Sequence, residues 1–299
     1  MLEHAYPYQV VVIGGDARQI EVASALSSLF KKVKVFGHPP FILPDTVEIV
    51  SDLPRTLAEA KITVLPISGM NDAGLVRSCR ADEFIDFGNY VKELTENSLI
   101  VTGQFTPKWL KKAVEMRINV LEYADNDEIA ILNSIPTAEG AVQIAMEELP
   151  ITIHGSTVVV IGFGRVGMTT ARLFKSLGAR VIVSARRQAL LARAIELCCE
   201  TVLHQDLAGA LASADIIINT VPDKVLSAHE LAKLSSEALI IDLASPPGGT
   251  DFEEAKRLKL KAILAPGLPG KVAPKTAGKI LANTIPKLIV NYLNGGDGK

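Results

Sequence analysis

Gly162-Phe163-Gly164-Arg165-Val166-Gly167 is the run whose residue types and spacing point most directly to chemistry. It reads G-x-G-x-x-G, follows the β-branched string Val158–Ile161, and opens a helical pattern carried by Val166, Ala171, Phe174 and Leu177. In that context the first glycine permits a tight turn and the second lets the backbone approach a pyrophosphate. The third lets helix and strand pack closely. A helix N-terminus then offers N–H groups and partial positive charge to phosphates. The expected ligand is a dinucleotide, held by Gly162, Gly164, Arg165, Val166 and Gly167.

The choice of dinucleotide falls at the end of the next strand. An Asp or Glu about twenty residues beyond the glycines would hold ribose hydroxyls. This chain has Ser184-Ala185-Arg186-Arg187 instead. A carboxylate would repel a 2′-phosphate, whereas Ser184 can donate a hydrogen bond to it and Arg186 and Arg187 can pair with its charge. NADP is the expected cofactor, the alternative being that the arginines form a solvated helix start. Thr220, Val221 and Pro222, closing a later apolar strand, complete the cofactor-binding set.

Three further loops are rich in small residues and turn formers: Asn133–Gly140, Ser245–Asp251 and Pro266–Thr276. The last two follow strands at the carboxyl edge of a sheet, where open α/β folds bind ligands. Lys271 and Lys275 are the cations best placed there to meet an anionic substrate. Trp109, in a helix started by Pro107, reads as core. The three cysteines include no C-x-x-C pair and the five histidines lack ligand spacing, so neither a disulfide framework nor a metal site is expected.

The elements that must position these residues come from an internal repeat. Val10-Val11-Val12-Ile13-Gly14 returns as Val158-Val159-Val160-Ile161-Gly162, and the next apolar strands, Val33–Phe36 and Val181–Ser184, keep the same offset. Helical periodicity lies between each pair, with Ile20, Ala23, Leu26 and Phe30 in the first copy. Each copy is therefore strand–helix–strand with a right-handed crossover. Later strands are expected at Ile62–Pro66, Leu99–Val101 and Val120–Leu121 in the first copy. The second copy adds Ala214–Val221, Ala238–Leu243 and Lys261–Ala265, alternating with amphipathic segments at Leu207–Ala212 and Ala228–Leu234.

The fold class is α/β: two Rossmann-like doubly wound parallel-sheet domains with an interdomain cleft. Residues 1–135 are the expected N-terminal domain, facing substrate or partner. Residues 136–150 form a connecting helix with Pro136 in its first turn, and residues 151–275 the cofactor domain. Residues 276–299 form a C-terminal helix packing back on the first domain, with the tail from Asn294 frayed. Asp16 and Gln19 stand where the second copy has Gly164 and Gly167, so the first copy is not expected to bind a dinucleotide.

Length and charge agree. At roughly 150 residues per domain, 299 residues make two. With 31 Lys+Arg against 33 Asp+Glu, the balance excludes a nucleic-acid binder that relies on a strongly basic face. No uncharged apolar window reaches the ~18–20 residues of a membrane span. The start, Met1–Gln9, has neither a basic n-region nor an apolar h-region, so a cytoplasmic protein without membrane contact is expected.

Several long strings are similar to the family of the A-type subunit of dipicolinate synthase. They are Gly14-Gly15-Asp16-Ala17-Arg18-Gln19, Ser134-Ile135-Pro136-Thr137 with Glu139-Gly140, and Thr152-Ile153-His154-Gly155-Ser156. Asp242–Ser245 before Pro247–Phe252, and Ala265–Gly270 through Ala273–Gly278, extend the resemblance over nearly the whole chain. Leu132-Asn133 departs from it, the family having Tyr-Asn there. The resemblance implies an NADP-dependent oxidoreductase that takes 4-hydroxy-tetrahydrodipicolinate, or a dihydrodipicolinate-level precursor, to aromatic pyridine-2,6-dicarboxylate. It also implies the mother-cell cytoplasm of a sporulating bacterium, homo-oligomerisation, and partnership with the flavoprotein-like B-type subunit of dipicolinate synthase.

For such a dicarboxylate heterocycle, Ser134, Thr137, Ser245 and Lys275 are the substrate-binding candidates, and Lys271 and Glu139 the acid–base candidates. Glu139 equally suits a first-turn carboxylate facing the helix dipole. Two other readings stay open. One is an NADP dehydrogenase resembling methylenetetrahydrofolate or shikimate dehydrogenase; the Asp16–Gln19 start and the Ser245–Asp251 string argue against it. The other is a nucleotide-binding scaffold protein whose partner performs the chemistry.

Overall fold

A computed structural model describes residues 6–39, 43–80 and 83–295. These fall into two units, with chain boundaries at Ala130/Ile131 and Ala273/Pro274. In the first, β1 (Tyr6–Ile13), α1 (Arg18–Ser27), β2 (Phe30–Phe36), β3 (Glu48–Ile49), α2 (Leu53–Glu59) and β4 (Ile62–Val64) come in order. The hairpin strands β5 (Leu75–Arg77) and β6 (Phe84–Asp86) follow, then β7 (Leu99–Thr102), α3 (Pro107–Glu115) and β8 (Asn119–Glu122). Helix α4 (Asp127–Glu148) runs on across the chain boundary.

The second unit holds β9 (Thr157–Ile161), α5 (Arg165–Ser176), β10 (Arg180–Ala185), α6 (Gln188–Glu196), β11 (Glu200–Leu203) and α7 (Leu207–Leu211). It continues with β12 (Ile216–Asn219), α8 (Ala228–Leu231), β13 (Leu239–Asp242), α9 (Phe252–Arg257), β14 (Lys261–Leu264) and α10 (Leu268–Val272). Helix α11 (Pro274–Leu293) returns to the first unit.

Each unit is built on a six-stranded parallel sheet. The strand orders are β3-β2-β1-β4-β7-β8 and β11-β10-β9-β12-β13-β14, the doubly wound order in both cases. The cause is visible in the strands. Val10 and Val12 face one buried cluster with Val22, Leu26 and Leu281, while Val11 and Ile13 face another with Leu53, Leu57 and Trp109. In the second unit Val158 and Val160 meet Phe163 and Phe174, and Val159 and Ile161 meet Leu207 and Leu211. A strand alternates its side chains between faces, so only an unbroken apolar run satisfies a sheet covered on both. Helix α11 lies against α1, and at Gly278 a Cβ would fall 2.8 Å from Glu21 Cγ. Among the described residues no helix is long and apolar enough to cross a membrane.

The structure departs from the sequence expectations at a few elements. Strands β3 and β11 and the β5–β6 hairpin were not anticipated; each strand is only two to four residues long. The helix expected to start at Pro136 begins at Asp127, with Pro136 in its interior. Asn126 Oδ1 accepts from Ile129 N at 3.2 Å, and Asp127 and Glu128 in the first turn suit the positive helix end. Pro136 has no N–H to give the preceding turn. There the Ser134 hydroxyl donates to the Ile131 carbonyl (2.6 Å) and the Thr137 hydroxyl to the Asn133 carbonyl (2.8 Å). Both are back-bonds to the helix's own carbonyls, on either side of the Leu132 carbonyl that the proline leaves without its usual donor. Residues 1–5 of the expected start and 296–299 of the expected tail lie outside the described residues.

Candidate functional site

In the second unit the strand order reverses between β9 and β12. There, at the carboxyl ends of the strands, Gly162, Gly164, Arg165 and Val166 border a cavity of about 560 Å³. Arg186 and Arg187 close it from the end of β10, and Thr220, Val221 and Pro222 from beyond β12. The three glycines have three different physical reasons. Gly162 has φ +88°, and a Cβ on it would lie 2.5 Å from Thr220 Oγ1. Gly167, behind the cavity, would put a Cβ 2.2 Å from the Gly162 carbonyl oxygen, so α5 can sit this close to β9 only with glycine there. Gly164 is the N-cap of α5, and a Cβ on it would meet no heavy atom within 4 Å. It faces open space where the helix end points. No side chain caps that helix end.

The rim contains no Asp or Glu among its described lining residues, whereas Arg165, Arg186, Arg187 and His204 all border it. Arg186 is exposed and its Nη2 lies 3.3 Å from Asp223 Oδ2. Arg187 is exposed at the start of α6. Ser184 also lines the cavity at the end of β10, with its side chain buried and its Oγ without a hydrogen-bond partner among the described residues. His204, Leu190 and Val225 also line the cavity and were missed from sequence. Recognising Glu200–Leu203 as a strand would have placed His204 at the carboxyl edge.

Two buried polar side chains brace the loops around the cavity. Asn219 Nδ2 donates to the Val221 carbonyl at 2.9 Å, and its Oδ1 accepts from Val221 N at 3.0 Å. Asp242 accepts from Ala244 N (3.1 Å), Gly249 N (2.9 Å), Thr250 N (3.0 Å) and the Thr250 hydroxyl (2.7 Å). The Gly249 carbonyl in turn accepts from Val225 N and Leu226 N. A Cβ on Gly249 would lie 2.4 Å from the carbonyl oxygens of Val221 and Asp223, so this meeting of loops needs glycine.

The substrate candidates fare differently. Ser134 is 1% exposed and hydrogen bonded to Thr169 Oγ1 at 2.6 Å, locking α4 to α5. The Thr137 hydroxyl is held by its own helix. Neither hydroxyl is offered to a ligand, and no helix N-terminus exists at Pro136 to bind a carboxylate. Glu139 is exposed in the middle of α4, so it is not a first-turn carboxylate either. Ser245 is exposed on the loop that Asp242 braces. Lys271 and Lys275 are exposed on α10 and at the start of α11, and neither forms an ion pair among the described residues.

The corresponding place in the first unit is built otherwise. Gly15 N donates to the Arg77 carbonyl at 2.6 Å, and a Cβ on Gly14 would lie 2.4 Å from that oxygen. The β5–β6 hairpin therefore lies on the loop. Asp16 accepts from Arg18 N (3.0 Å), Nε (2.8 Å) and Nη2 (2.6 Å). Burial works to raise the Asp16 pKa, but the Arg18 guanidinium and the Arg77 charge bring it below the ordinary carboxylate value. Gln19 is 2% exposed, with both side-chain amide atoms unpartnered.

His38 Nε2 lies 2.7 Å from the Gly14 carbonyl, which can only accept, so the proton sits on Nε2. Burial pushes this imidazole below its ordinary 6.5. The unfolded chain then binds a proton that the folded chain resists, so folding stability falls as pH drops below 6.5. His38→Gln should flatten that part of the thermal-midpoint profile; parallel profiles for the two proteins would refute the assignment.

An open glycine before an uncapped helix end, at the point where a doubly wound sheet reverses, is suited to a pyrophosphate. Residues 136–246 match the profile described as D-isomer specific 2-hydroxyacid dehydrogenase, NAD binding domain. Residues 9–124 match that of the N-terminal domain of the dipicolinate synthase A-type subunit. The chain is an oxidoreductase of the two-domain Rossmann class with a nicotinamide-dinucleotide site in its second unit.

It is 37% identical to the A-type subunit of dipicolinate synthase from Bacillus subtilis (strain 168) over 272 residues, covering 90% of this chain and 91% of the relative. The crystal structures of this subunit from Bacillus halodurans and Bacillus subtilis align with TM-scores of 0.90 and 0.85, at 39% and 36% identity. Each alignment covers 96% of this chain, with 99% and 97% of the respective structure. The chain belongs to the dipicolinate synthase A-type family.

Proposed function

We propose that this chain carries out the NADP-dependent aromatisation that yields pyridine-2,6-dicarboxylate, working with a B-type subunit in the mother-cell cytoplasm of a sporulating bacterium. The observation that carries the reading is the kinship with the A-type subunit of dipicolinate synthase over 90% of the chain, whose described cavity lining bears arginines and no carboxylate. The residues fit the cofactor. Open space at Gly164 accepts a pyrophosphate against the α5 N-terminus, and Arg186 and Arg187 take the 2′-phosphate. When bound, the nicotinamide supplies the hydride acceptor.

The heterocycle 4-hydroxy-tetrahydrodipicolinate loses water, then one hydride and one proton, to become aromatic. Lys271 and Glu139, both exposed, are the proposed acid–base groups. Lys275 and Ser245 are proposed to bind the substrate, while the hydroxyls of Ser134 and Thr137 are withdrawn from that role by their helix contacts. The test is to supply the heterocycle and NADP to the purified chain, with and without its B-type partner. Formation of NADPH and pyridine-2,6-dicarboxylate in equal amounts is expected. NADPH binding without any NADPH formation in either mixture would reduce the chain to a nucleotide-binding scaffold.

Lys271→Met and Lys275→Met provide a narrower check. A lysine acts on a carboxylate as a point charge, and an exposed one contributes about 1 kcal/mol. Each substitution should raise KM for the heterocycle roughly five- to tenfold and leave NADPH affinity at the wild-type value. Unchanged kinetics in both variants would remove the lysines from the site.

A further inference from the structure

The motif Gly14–Gln19 has no part in the cofactor site, yet it occupies the switch point of its own sheet, between β1 and β4. Open α/β sheets bind ligands at that position. A dinucleotide is not accommodated in the manner of the second unit, because Asp16 replaces the open glycine and the Gly15 amide is consumed by the Arg77 carbonyl.

What stands there instead is a clamped arginine. The Arg18 side chain is only 12% exposed, and Asp16 holds its Nε and Nη2 edge in a two-point pair. Its Nη1 makes no hydrogen bond among the described residues, although a guanidinium carries five N–H donors in a fixed fork. Hairpin strand β5 brings a second guanidinium: Arg77, whose carbonyl accepts from Gly15 N at 2.6 Å next to Asp16, is exposed and in no ion pair among the described residues. Gln19, packed on Gly15, adds a buried amide with neither atom partnered. One carboxylate against two guanidiniums leaves a net charge of +1, which suits a small anion with a planar two-oxygen edge.

We infer that Arg18, oriented by Asp16, and Arg77 form a carboxylate-binding site in the first unit, which takes one carboxylate of the dicarboxylate heterocycle. The inference rests on the function proposed above. It makes Arg18 and Arg77 substrate-binding residues and Asp16 a positioning residue.

The test is calorimetric titration of pyridine-2,6-dicarboxylate into the chain saturated with NADPH, for wild type, Arg18→Lys, Arg18→Met, Asp16→Asn and Arg77→Met. Arg18→Met and Arg77→Met should each weaken dicarboxylate binding at least tenfold, with NADPH affinity within twofold of wild type. Arg18→Lys should recover only part of the loss, because an ammonium lacks the fork. Asp16→Asn should weaken binding less than Arg18→Met, since the guanidinium remains but is held less firmly. Arg77→Met keeps the question open to refutation if Arg18→Met fails to fold, because Arg77 is exposed. Wild-type binding with unchanged affinity in Arg77→Met and the folded Arg18 variants would overturn this inference alone. Absence of dicarboxylate binding by the wild type would overturn the proposed function as well.

Discussion

Gly164→Asp is expected to weaken NADPH binding by more than a hundredfold while leaving the fold intact or slightly stabilised. The backbone there has φ −88° and ψ −158°, which any residue can adopt, and the new Cβ meets nothing within 4 Å. Aspartate is also a preferred N-cap, and gains about a few tenths of a kcal/mol over glycine for a helix that lacks a side-chain cap. The same carboxylate takes the space and the helix N–H groups proposed for the pyrophosphate. It also opposes its charge at a cost of about 1–4 kcal/mol for two charges ~4 Å apart. Stability and affinity should therefore move in opposite directions, which a thermal melt and an NADPH fluorescence titration read separately. Wild-type affinity in this variant would relocate the cofactor site. Gly167→Ala is a useful contrast, since its Cβ would collide with the Gly162 carbonyl and both readouts should fall.

Replacing Arg186 and Arg187 together with alanine should weaken NADPH about tenfold or somewhat more, with NADH changed less than twofold. Charge-assisted hydrogen bonds are worth about 1.5–3 kcal/mol each, but Arg186 is 72% exposed, so solvent screening brings the pair nearer 1–2 kcal/mol. The preference for NADPH should also shrink as salt is raised, because exposed charges are screened within about 10 Å at 0.1 M. Equal losses for the two cofactors would show that the arginines do not read the 2′-phosphate.

The glycine loop was legible in sequence because its constraints are local. The positive φ at Gly162 and the close helix–strand approach at Gly167 each demand glycine, the open face at Gly164 leaves the helix end clear, and their spacing is fixed by one turn of chain. The parallel sheets were legible for a related reason: two covered faces require unbroken apolar strands such as Val158–Ile161. Pro136 misled because proline favours a first turn, whereas α4 starts nine residues earlier, at an Asn126 cap, and carries the proline in its interior. The hydroxyls of Ser134 and Thr137 turn onto carbonyls of α4, a contact that the sequence does not distinguish from one to a ligand. The hairpin laid over Gly14 and Gly15 joins residues far apart in the chain through three-residue strands, too short for periodicity to register. Without it, the Asp16–Arg18–Arg77 grouping could not be seen.

The buried carboxylate of Asp242 bears on the entropy of cofactor binding. Its four hydrogen bonds fix the loop at 244–250, and the Gly249 carbonyl passes that constraint to Val225 and Leu226 beside the cavity. All of these bonds lie within the chain, so the backbone around the site is ordered before a dinucleotide arrives. Fixing a residue's backbone costs about 1–2 kcal/mol, a charge that binding at this rim does not incur. The freedom left to lose belongs to exposed side chains such as Arg186. Association should consequently resemble docking onto a formed surface, with slow amide exchange at Gly249, Thr250, Val225 and Leu226 in the free chain as well as in the complex.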